Sequence, residues 1–150
     1  MADGPDHIRN GCIISYPYLW QREKAAGQTV ATKNRETVVG MRFVHEGRDV
    51  IYLFPITSTR PREGQLAYEL PETEVRRIAR GDVARLWIVY DELNADTVHG
   101  SRNVDPTVPA KNHLSKAVRQ DFLRVVKAHA RGIRTVRRGA LMGPSGRTSL

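Results

Sequence analysis

Hydrophobic and polar positions along the chain predict short β-strands separated by turns. Residues 11–16 are rich in β-branched and aromatic residues and predict a first strand, which Pro17 ends. Two apolar runs, 37–44 and 49–56, flank a turn centred on Gly47. This pattern predicts a β-hairpin.

Two further apolar runs and two long polar segments complete the predicted β part. Residues 65–70 predict a short strand, and 84–90 predict a central strand because this is the most apolar stretch of the chain. Residues 18–32 and 91–109 are polar or rich in Gly and Pro, and predict loops. The second loop has room for a brief strand or bulge.

Two segments have helical periodicity. Residues 71–80 predict a short helix that starts at a proline and ends at Gly81. Residues 111–131 predict one long helix, for which Ser115 or Asn112 supplies the N-cap. Its apolar stripe comprises Leu114, Val118, Phe122, Val125 and Val126. A different face carries Lys116, Arg124, Lys127 and Arg131.

Short strands with turn signals and one terminal helix predict a mainly β fold, a small and strongly bent β-barrel. Residues 1–10 predict a loose, disordered leader, and 11–131 the barrel with its C-terminal helix. Residues 132–150 predict a basic flexible tail, disordered from Ile133 onward. The length of 150 residues favours one such domain.

Charge is concentrated at one end of the chain. The formal net charge is +8, with 24 Lys and Arg against 16 Asp and Glu. Residues 111–150 hold ten of these basic residues and one acid, so they carry +9 and the rest of the chain carries −1. A basic segment on a neutral body indicates either a polyanionic partner such as nucleic acid or a solvated tail.

Several classes of protein are disfavoured by what the sequence lacks. The five histidines are scattered and the single cysteine, Cys12, lies in an apolar strand, so we expect no metal site, no cofactor and a buried structural thiol. No apolar run is long enough to span a bilayer, and the first ten residues have no signal-peptide pattern. We therefore expect a cytoplasmic protein that does not enter a membrane.

Four segments carry a family resemblance. Residues 33–39 (KNRETVV), 54–58 (FPITS) and 87–92 (WIVYDE) resemble, in this order, the PemK/MazF (Kid, CcdB-like) toxin superfamily. The opening segment 11–20 (GCIISYPYLW) resembles the PemK-like plasmid maintenance toxin branch. The resemblance spans about 11–131.

The resemblance implies a fold, an activity and partners. The implied fold is an SH3-like barrel with helices, commonly a homodimer. The implied activity is that of a toxin in a type II toxin–antitoxin system, which cleaves single-stranded RNA without a metal and is blocked by a cognate antitoxin protein. Such cleavage uses the 2′-hydroxyl of the substrate as nucleophile, so it needs a proton acceptor, a proton donor and a cation for the phosphorane.

The resemblance also assigns roles to residues. It implies that Arg35 stabilises the phosphorane, that Thr57 positions a phosphate oxygen and that Asp91 is the general base, with Glu92 as its neighbouring alternative. Each residue also has an ordinary structural interpretation, such as a surface charge or a turn hydroxyl. Trp87 is interpreted as a core residue. Trp20 and Tyr18 are interpreted either as core residues, which is favoured for Trp20, or as surfaces on which bases stack. Further RNA-binding candidates are Lys33, Ser58, Arg60, Glu92, Lys116, Arg124 and Lys127.

Two departures from the family pattern leave alternatives open. The family's proline after the arginine is Glu36 here, and an arginine that some relatives carry two residues before the acid is Val89. Both substitutions weaken the expectation of catalysis and favour, as an alternative, a non-catalytic barrel that binds nucleic acid or protein. A third possibility is a toxin that acts on a protein target through its C-terminal helix.

Overall fold

The structure is a computed structural model that describes residues 7–31, 33–79 and 81–142 of the chain. The strands are β1 Cys12–Tyr16, β2 Arg35–His45, β3 Arg48–Thr57, β4 Ala67–Glu69, β5 Trp87–Val89, β6 Glu92–Thr97, β7 Asn112–His113 and β8 Arg134–Arg137. The α-helices are α1 Gln21–Ala25, α2 Glu72–Ile78 and α3 Lys116–Ala128, and short 3-10 turns lie at Ala130–Gly132 and Gly139–Leu141.

The strands form one sheet in which β3 is central. Strand β3 pairs with β2 on one side, and on the other side with β6 along its first half and with β5 at its end. All pairs are antiparallel except that of β6 with β8. The sheet is curled into a half-barrel, which confirms the prediction of a mainly β, strongly bent fold with few helices.

The β2–β3 pairing is irregular at a glycine that packs closely against a ring. The β2–β3 register shifts between Val39 and Met41, on either side of Gly40. A Cβ atom at Gly40 would lie 2.4 Å from Cε2 of Phe54, so only glycine fits at this position.

Each face of the sheet has its own core, because successive strand residues point to opposite sides. Val38 belongs to a cluster with Phe54 and Phe122, whereas Val39 belongs to a cluster with Tyr16. The Phe54 and Phe122 rings meet edge to face at 5.3 Å and pack α3 onto the first face. Burial of a side chain such as Phe122 stabilises the fold by about 3 kcal/mol.

The hairpin, the first strand and the predicted N-cap of the long helix are confirmed. The hydroxyl of Ser115 accepts a hydrogen bond from the backbone N–H of Val118, and Val118 and Phe122 form the buried face of α3. The helix is shorter than the predicted 111–131, because Asn112 and His113 pair with β1 as strand β7. Cys12 and Trp87 are buried, as predicted.

The prediction of a loop over 18–32 is wrong at its start. Tyr18, Leu19 and Trp20 are buried, and α1 follows them directly. The side-chain amide of Asn94 accepts from the backbone N–H of Leu19 at 2.8 Å and donates to its carbonyl at 2.7 Å. A side chain from β6 thus replaces a strand partner, which local periodicity cannot reveal.

The prediction of a loop over 91–109 is also corrected. Residues Glu92–Thr97 form β6, in which every residue is buried. A brief strand in this segment is consistent with the prediction, but its complete burial is not predicted. Most polar side chains of β6 are hydrogen-bonded within the core, whereas the buried hydroxyl of Thr97 has no partner among the described residues. Asp96, for example, accepts from the Tyr16 hydroxyl at 2.7 Å and from the Asn103 side chain at 3.1 Å.

The chain ends are more ordered than predicted as far as the structure describes them. Ile8, in the predicted leader, is 2% exposed and packs in the second core. In the predicted tail, β8 pairs with β6, and Arg138 is buried and donates to the Pro17 carbonyl at 2.7 Å and to Asn94 at 2.8 Å. The rest of both predictions, 1–6 and 143–150, lies outside the described residues, as does Arg80 of the predicted first helix.

Candidate functional site

The start of β2 and the end of β3 lie side by side. The register pairs Thr37 with Pro55. When this register is continued by two residues, Arg35 lies opposite Thr57. Both residues line a cleft of about 590 Å³. We call it the Arg35 cleft, and its polar lining comprises Lys33, Asn34, Arg35, Glu36, Thr57, Ser58, Thr59, Lys111 and Asn112.

The Arg35 cleft carries a net positive charge. Its lining includes the cations Lys33, Arg35 and Lys111 and one carboxylate, Glu36. Within the described residues, none of the three cations forms an ion pair with a carboxylate, Glu36 included. The cleft can therefore offer two or more charge-assisted hydrogen bonds to an anion such as a phosphate.

The hydroxyl groups beside Arg35 belong to a turn that fixes their position. Oγ1 of Thr57 accepts from the backbone N–H of Thr59 at 3.0 Å, and Ser58 between them is exposed. The Thr57 oxygen is held by an incoming hydrogen bond, so its own proton can be donated to a ligand in the cleft.

Arg35 stacks on an aromatic ring. Its guanidinium carbon lies 5.4 Å from the centre of the Trp20 ring, and that of Arg22 lies 4.8 Å from the same centre. Trp20 is 7% exposed and also packs edge to face on Tyr18, which confirms it as a core residue. The ring thereby links the Arg35 cleft to the neighbourhood of α1.

The two predicted acids lie in a different cleft from Arg35 and Thr57. Asp91 and Glu92 line a second cleft of about 480 Å³. We call it the Asp91 cleft, and its charged lining comprises Arg22, Arg62, Glu63, Asp91, Glu92 and Arg134. Arg22 belongs to this lining, so one arginine from each cleft lies near the same Trp20 ring.

The two acids differ in their hydrogen bonds. Oε1 of Glu92 accepts from the backbone N–H of Gln21 at 2.9 Å and from the Tyr18 hydroxyl at 3.1 Å, so Glu92 holds α1 in place. In Asp91, Oδ1 is buried and has no hydrogen-bond partner among the described residues. Burial raises the pKa of both carboxyl groups, although Arg134 and Arg62 oppose the rise in the pKa of Asp91.

The other predicted RNA-binding residues, Arg60, Lys116, Arg124 and Lys127, do not line either cleft. Arg60 is exposed in the segment after β3. Lys116, Arg124 and Lys127 are exposed on α3, where Arg124 pairs with Asp121. Such exposed cations can contact a polyanion, but they do not define a site on their own.

Lys111 and Asn112 line the Arg35 cleft, and neither was predicted as a site residue. The sequence predicts the start of a helix at 111, and one more lysine in a basic helix gives no sign of a site. The pairing of β7 with β1 brings these residues to the cleft, and only tertiary structure reveals it. Val89, where some relatives of the resembled family carry an arginine, is buried in β5.

The described residues hold no group of three or more His, Cys, Asp or Glu arranged to bind a metal ion. None of the helices in this part of the chain is both long and apolar enough to cross a membrane. Comparisons of the chain with protein-family models, with curated proteins and with solved structures each find no match.

Proposed function

We propose that this protein is an endoribonuclease that cleaves single-stranded RNA in the Arg35 cleft without a metal ion. The observation that carries the proposal is that Arg35 and Thr57, from two separate segments, line one cationic cleft together with Lys33, Ser58 and Lys111. A phosphate diester is the anion that such a set of donors fits.

The proposed reaction is an attack by the 2′-hydroxyl of the substrate on the adjacent phosphorus. The O–P bond that forms closes a 2′,3′-cyclic phosphate, and the P–O5′ bond breaks as the leaving 5′-oxygen takes a proton from water to become a 5′-hydroxyl. Arg35 stabilises the phosphorane through its fork of donors, and Thr57 donates to a non-bridging oxygen. Lys111 supplies a second cation and Lys33 a third.

The 2′-hydroxyl proton needs an acceptor in the same cleft. Glu36 is the carboxylate that lines the Arg35 cleft, which favours it over Asp91 as general base. The family pattern assigns that role to the acid after the central strand, so the two carboxylates are alternatives. Glu36→Gln and Asp91→Asn separate them, since only the variant that lacks the general base loses the acidic limb of the pH profile, on which activity rises with pH.

The wider assignment rests on the sequence resemblance. We propose that the half-barrel is a PemK-like, SH3-type domain and that the protein is a cytoplasmic toxin of a type II toxin–antitoxin system. Its partner would be an antitoxin, acidic and partly disordered, that covers the cationic cleft. We further propose that the protein is a homodimer. Co-expression with a small acidic protein encoded beside it, relieving growth arrest, would support this assignment.

A second candidate is a barrel of the same fold that binds RNA without cleaving it. The observation in its favour is that Val89 is buried, so no cation reaches the cleft from β5. The two candidates make the same prediction for binding and opposite predictions for bond cleavage.

The nature of the nucleophile tests the proposal. An RNA oligonucleotide is incubated with the protein in EDTA, beside the same oligonucleotide with a 2′-deoxy substitution at the cleaved nucleotide. We expect cleavage of the first, with 5′-hydroxyl and cyclic phosphate ends, and none at the substituted position. Cleavage that persists there would contradict 2′-hydroxyl attack. Binding of both without cleavage would favour the second candidate.

A further inference from the structure

The last residues of β2 form an open edge of the sheet. Strand β1 pairs with β2 only from Arg35 to Val38, whereas β3 pairs with the other side of β2 as far as His45. The two-residue turn after His45 makes it a hydrogen-bonded pair with Arg48, so the N–H and C=O groups of Val44 point away from β3. An outward strand edge of this kind is a template for another strand.

One position of this edge already has a substitute partner. The backbone N–H of Arg42, two residues before Val44, donates to Oδ1 of Asn10 at 2.9 Å. Val44 has no such partner among the described residues, and it is 75% exposed. The edge therefore keeps an unpaired backbone donor and acceptor beside an exposed apolar side chain.

A groove of about 750 Å³ runs beside this edge. We call it the β2 groove, and its lining includes Arg9, Asn10, Phe43, Val44, Arg119 and Leu123. The segment before β1, the end of β2 and helix α3 thus surround it. Its apolar side chains can pack against the side chains of an added strand.

The β2 groove carries a net positive charge. Its charged lining residues are Arg9, Arg42, Asp49 and Arg119. Arg42 pairs with Asp49 at 2.6 Å, whereas Arg9 and Arg119 form no ion pair within the described part of the chain. The stem of Arg119 packs on Gly11, where a Cβ atom would lie 2.7 Å from its Cδ. Two guanidinium groups are thus free to bind carboxylates.

These features together fit an extended acidic peptide. Its backbone can pair with Val44, and its alternating side chains can offer apolar groups to Phe43 and carboxylates to the arginines. A second copy of this chain fits less well, because it would bring its own cationic groove against this one. The phosphates of RNA would satisfy the arginines but neither the strand edge nor the apolar surface.

We propose that the β2 groove binds an extended segment of a partner protein, rich in carboxylate and apolar side chains, as an additional strand on β2. The groove lies at the opposite end of β2 from the Arg35 cleft, with about 25 Å of strand between Arg35 and Phe43. The inference is therefore independent of RNA cleavage and of any partner that covers the Arg35 cleft.

The probe is a fluorescent octapeptide of alternating glutamate and valine, and its lysine counterpart is the control for charge. Anisotropy titrations of the full chain should show saturable binding of the glutamate peptide and binding of the lysine peptide that is weaker by about tenfold or more. In the complex, hydrogen exchange of the Val44 amide should slow by about tenfold. The amide of Val30, an exposed valine that does not line the groove, should be unaffected.

Two pairs of variants separate the backbone contribution from the charge. Val44→Pro removes the outward N–H and should weaken peptide binding about tenfold, whereas Val44→Thr keeps this N–H and the side-chain shape and should bind like the wild type. Arg119→Met keeps an unbranched stem without the charge and should weaken binding about threefold. Arg76→Met removes an arginine of α2 outside the groove and should have no effect.

The outcomes distinguish this partner from the other occupants. Equal affinities of folded Val44→Pro and Val44→Thr would overturn strand addition, and equal affinities for the two peptides would overturn the acidic partner. Protection of the Val44 amide by oligouridine, or by self-association of the chain without peptide, would overturn the proposal in favour of RNA or a second copy. RNA cleavage is measured separately, so the proposed function can stand when this proposal fails. Circular dichroism of each variant excludes unfolding as the cause.

Discussion

The guanidinium of Arg35 stacks on the ring of Trp20, with 5.4 Å between the guanidinium carbon and the ring centre. No carboxylate among the described residues pairs with this arginine, so an aromatic face holds the side chain without neutralising its charge. An arginine held in this way remains available to an anion. This relationship distinguishes Arg35 from the ion-paired arginines of the surface.

Removing the ring should therefore impair cleavage as well as stability. We expect Trp20→Leu to lower the free energy of unfolding by about 3 kcal/mol, since a large buried side chain is lost. We also expect kcat/KM for RNA to fall about tenfold at a temperature where the variant is folded, because Arg35 loses its support. Trp20→Phe keeps an aromatic face, so its free energy of unfolding and its kcat/KM should both fall less than those of Trp20→Leu. A folded Trp20→Leu protein with unchanged kcat/KM would refute the supporting role.

Lys111 should contribute to RNA binding more than the lysines of α3. Replacement by methionine removes one phosphate contact, so the slope of log affinity against log salt should become shallower by about one. Lys116→Met is the matched comparison, since Lys116 is exposed at the start of α3 and lines neither cleft. Fluorescence anisotropy over a salt series gives both slopes. Equal changes in the two variants would favour the α3 face as the binding surface instead.

Asp91 should make the protein less stable as pH rises. Burial raises the pKa of its carboxyl in the folded state, so the folded protein binds the proton more tightly than the unfolded chain does. Stability therefore falls as pH rises from the ordinary pKa of an aspartate through the raised value. Asp91→Asn should flatten this part of the profile and raise the free energy of unfolding at pH 7. Urea titrations between pH 3 and 7 measure both effects, and an unchanged profile would be inconsistent with them.

The segment after α3 should be part of the folding unit. Arg138 is buried, donates to Pro17 and Asn94, and follows a strand that pairs with β6. Arg138→Met leaves these acceptors unsatisfied and should lower the free energy of unfolding by about 3 kcal/mol. A chain truncated after Ile133 loses β8 as well and should not unfold cooperatively. A truncated chain with wild-type thermal unfolding would contradict the observed pairing.

Local patterns account for much of the fold. The alternation around Gly47 predicts the hairpin, and the stripe through Val118 and Phe122 predicts α3, because both signals come from residues close in sequence. Strand β6 lacks such a signal. Asn94 and Asp96 are residue types common in loops. Their hydrogen-bond partners, the Leu19 backbone and the Tyr16 hydroxyl, are far away in the sequence, so no local pattern predicts a buried strand here.

The candidate site likewise has one part that local patterns predict and one part that depends on contacts between distant segments. Arg35 and Thr57 were singled out by resemblance and lie in one cleft, because the hairpin register that joins them is itself predictable. Lys111 reaches that cleft through the pairing of β7 with β1, and Asp91 lines the other cleft. Neither position follows from spacing along the chain, since both depend on how distant segments meet.

Cleavage of RNA in the Arg35 cleft is tested by the rate at which the wild-type protein and Arg35→Ala cleave single-stranded RNA in EDTA. Arg76→Ala is the matched control, because Arg76 is an exposed arginine of α2 that pairs with Glu72. We predict that the wild type and Arg76→Ala cleave at similar rates and that Arg35→Ala is slower by at least a hundredfold while folded. Equal rates for wild type and Arg35→Ala, or no cleavage by a folded wild type, would contradict the claim.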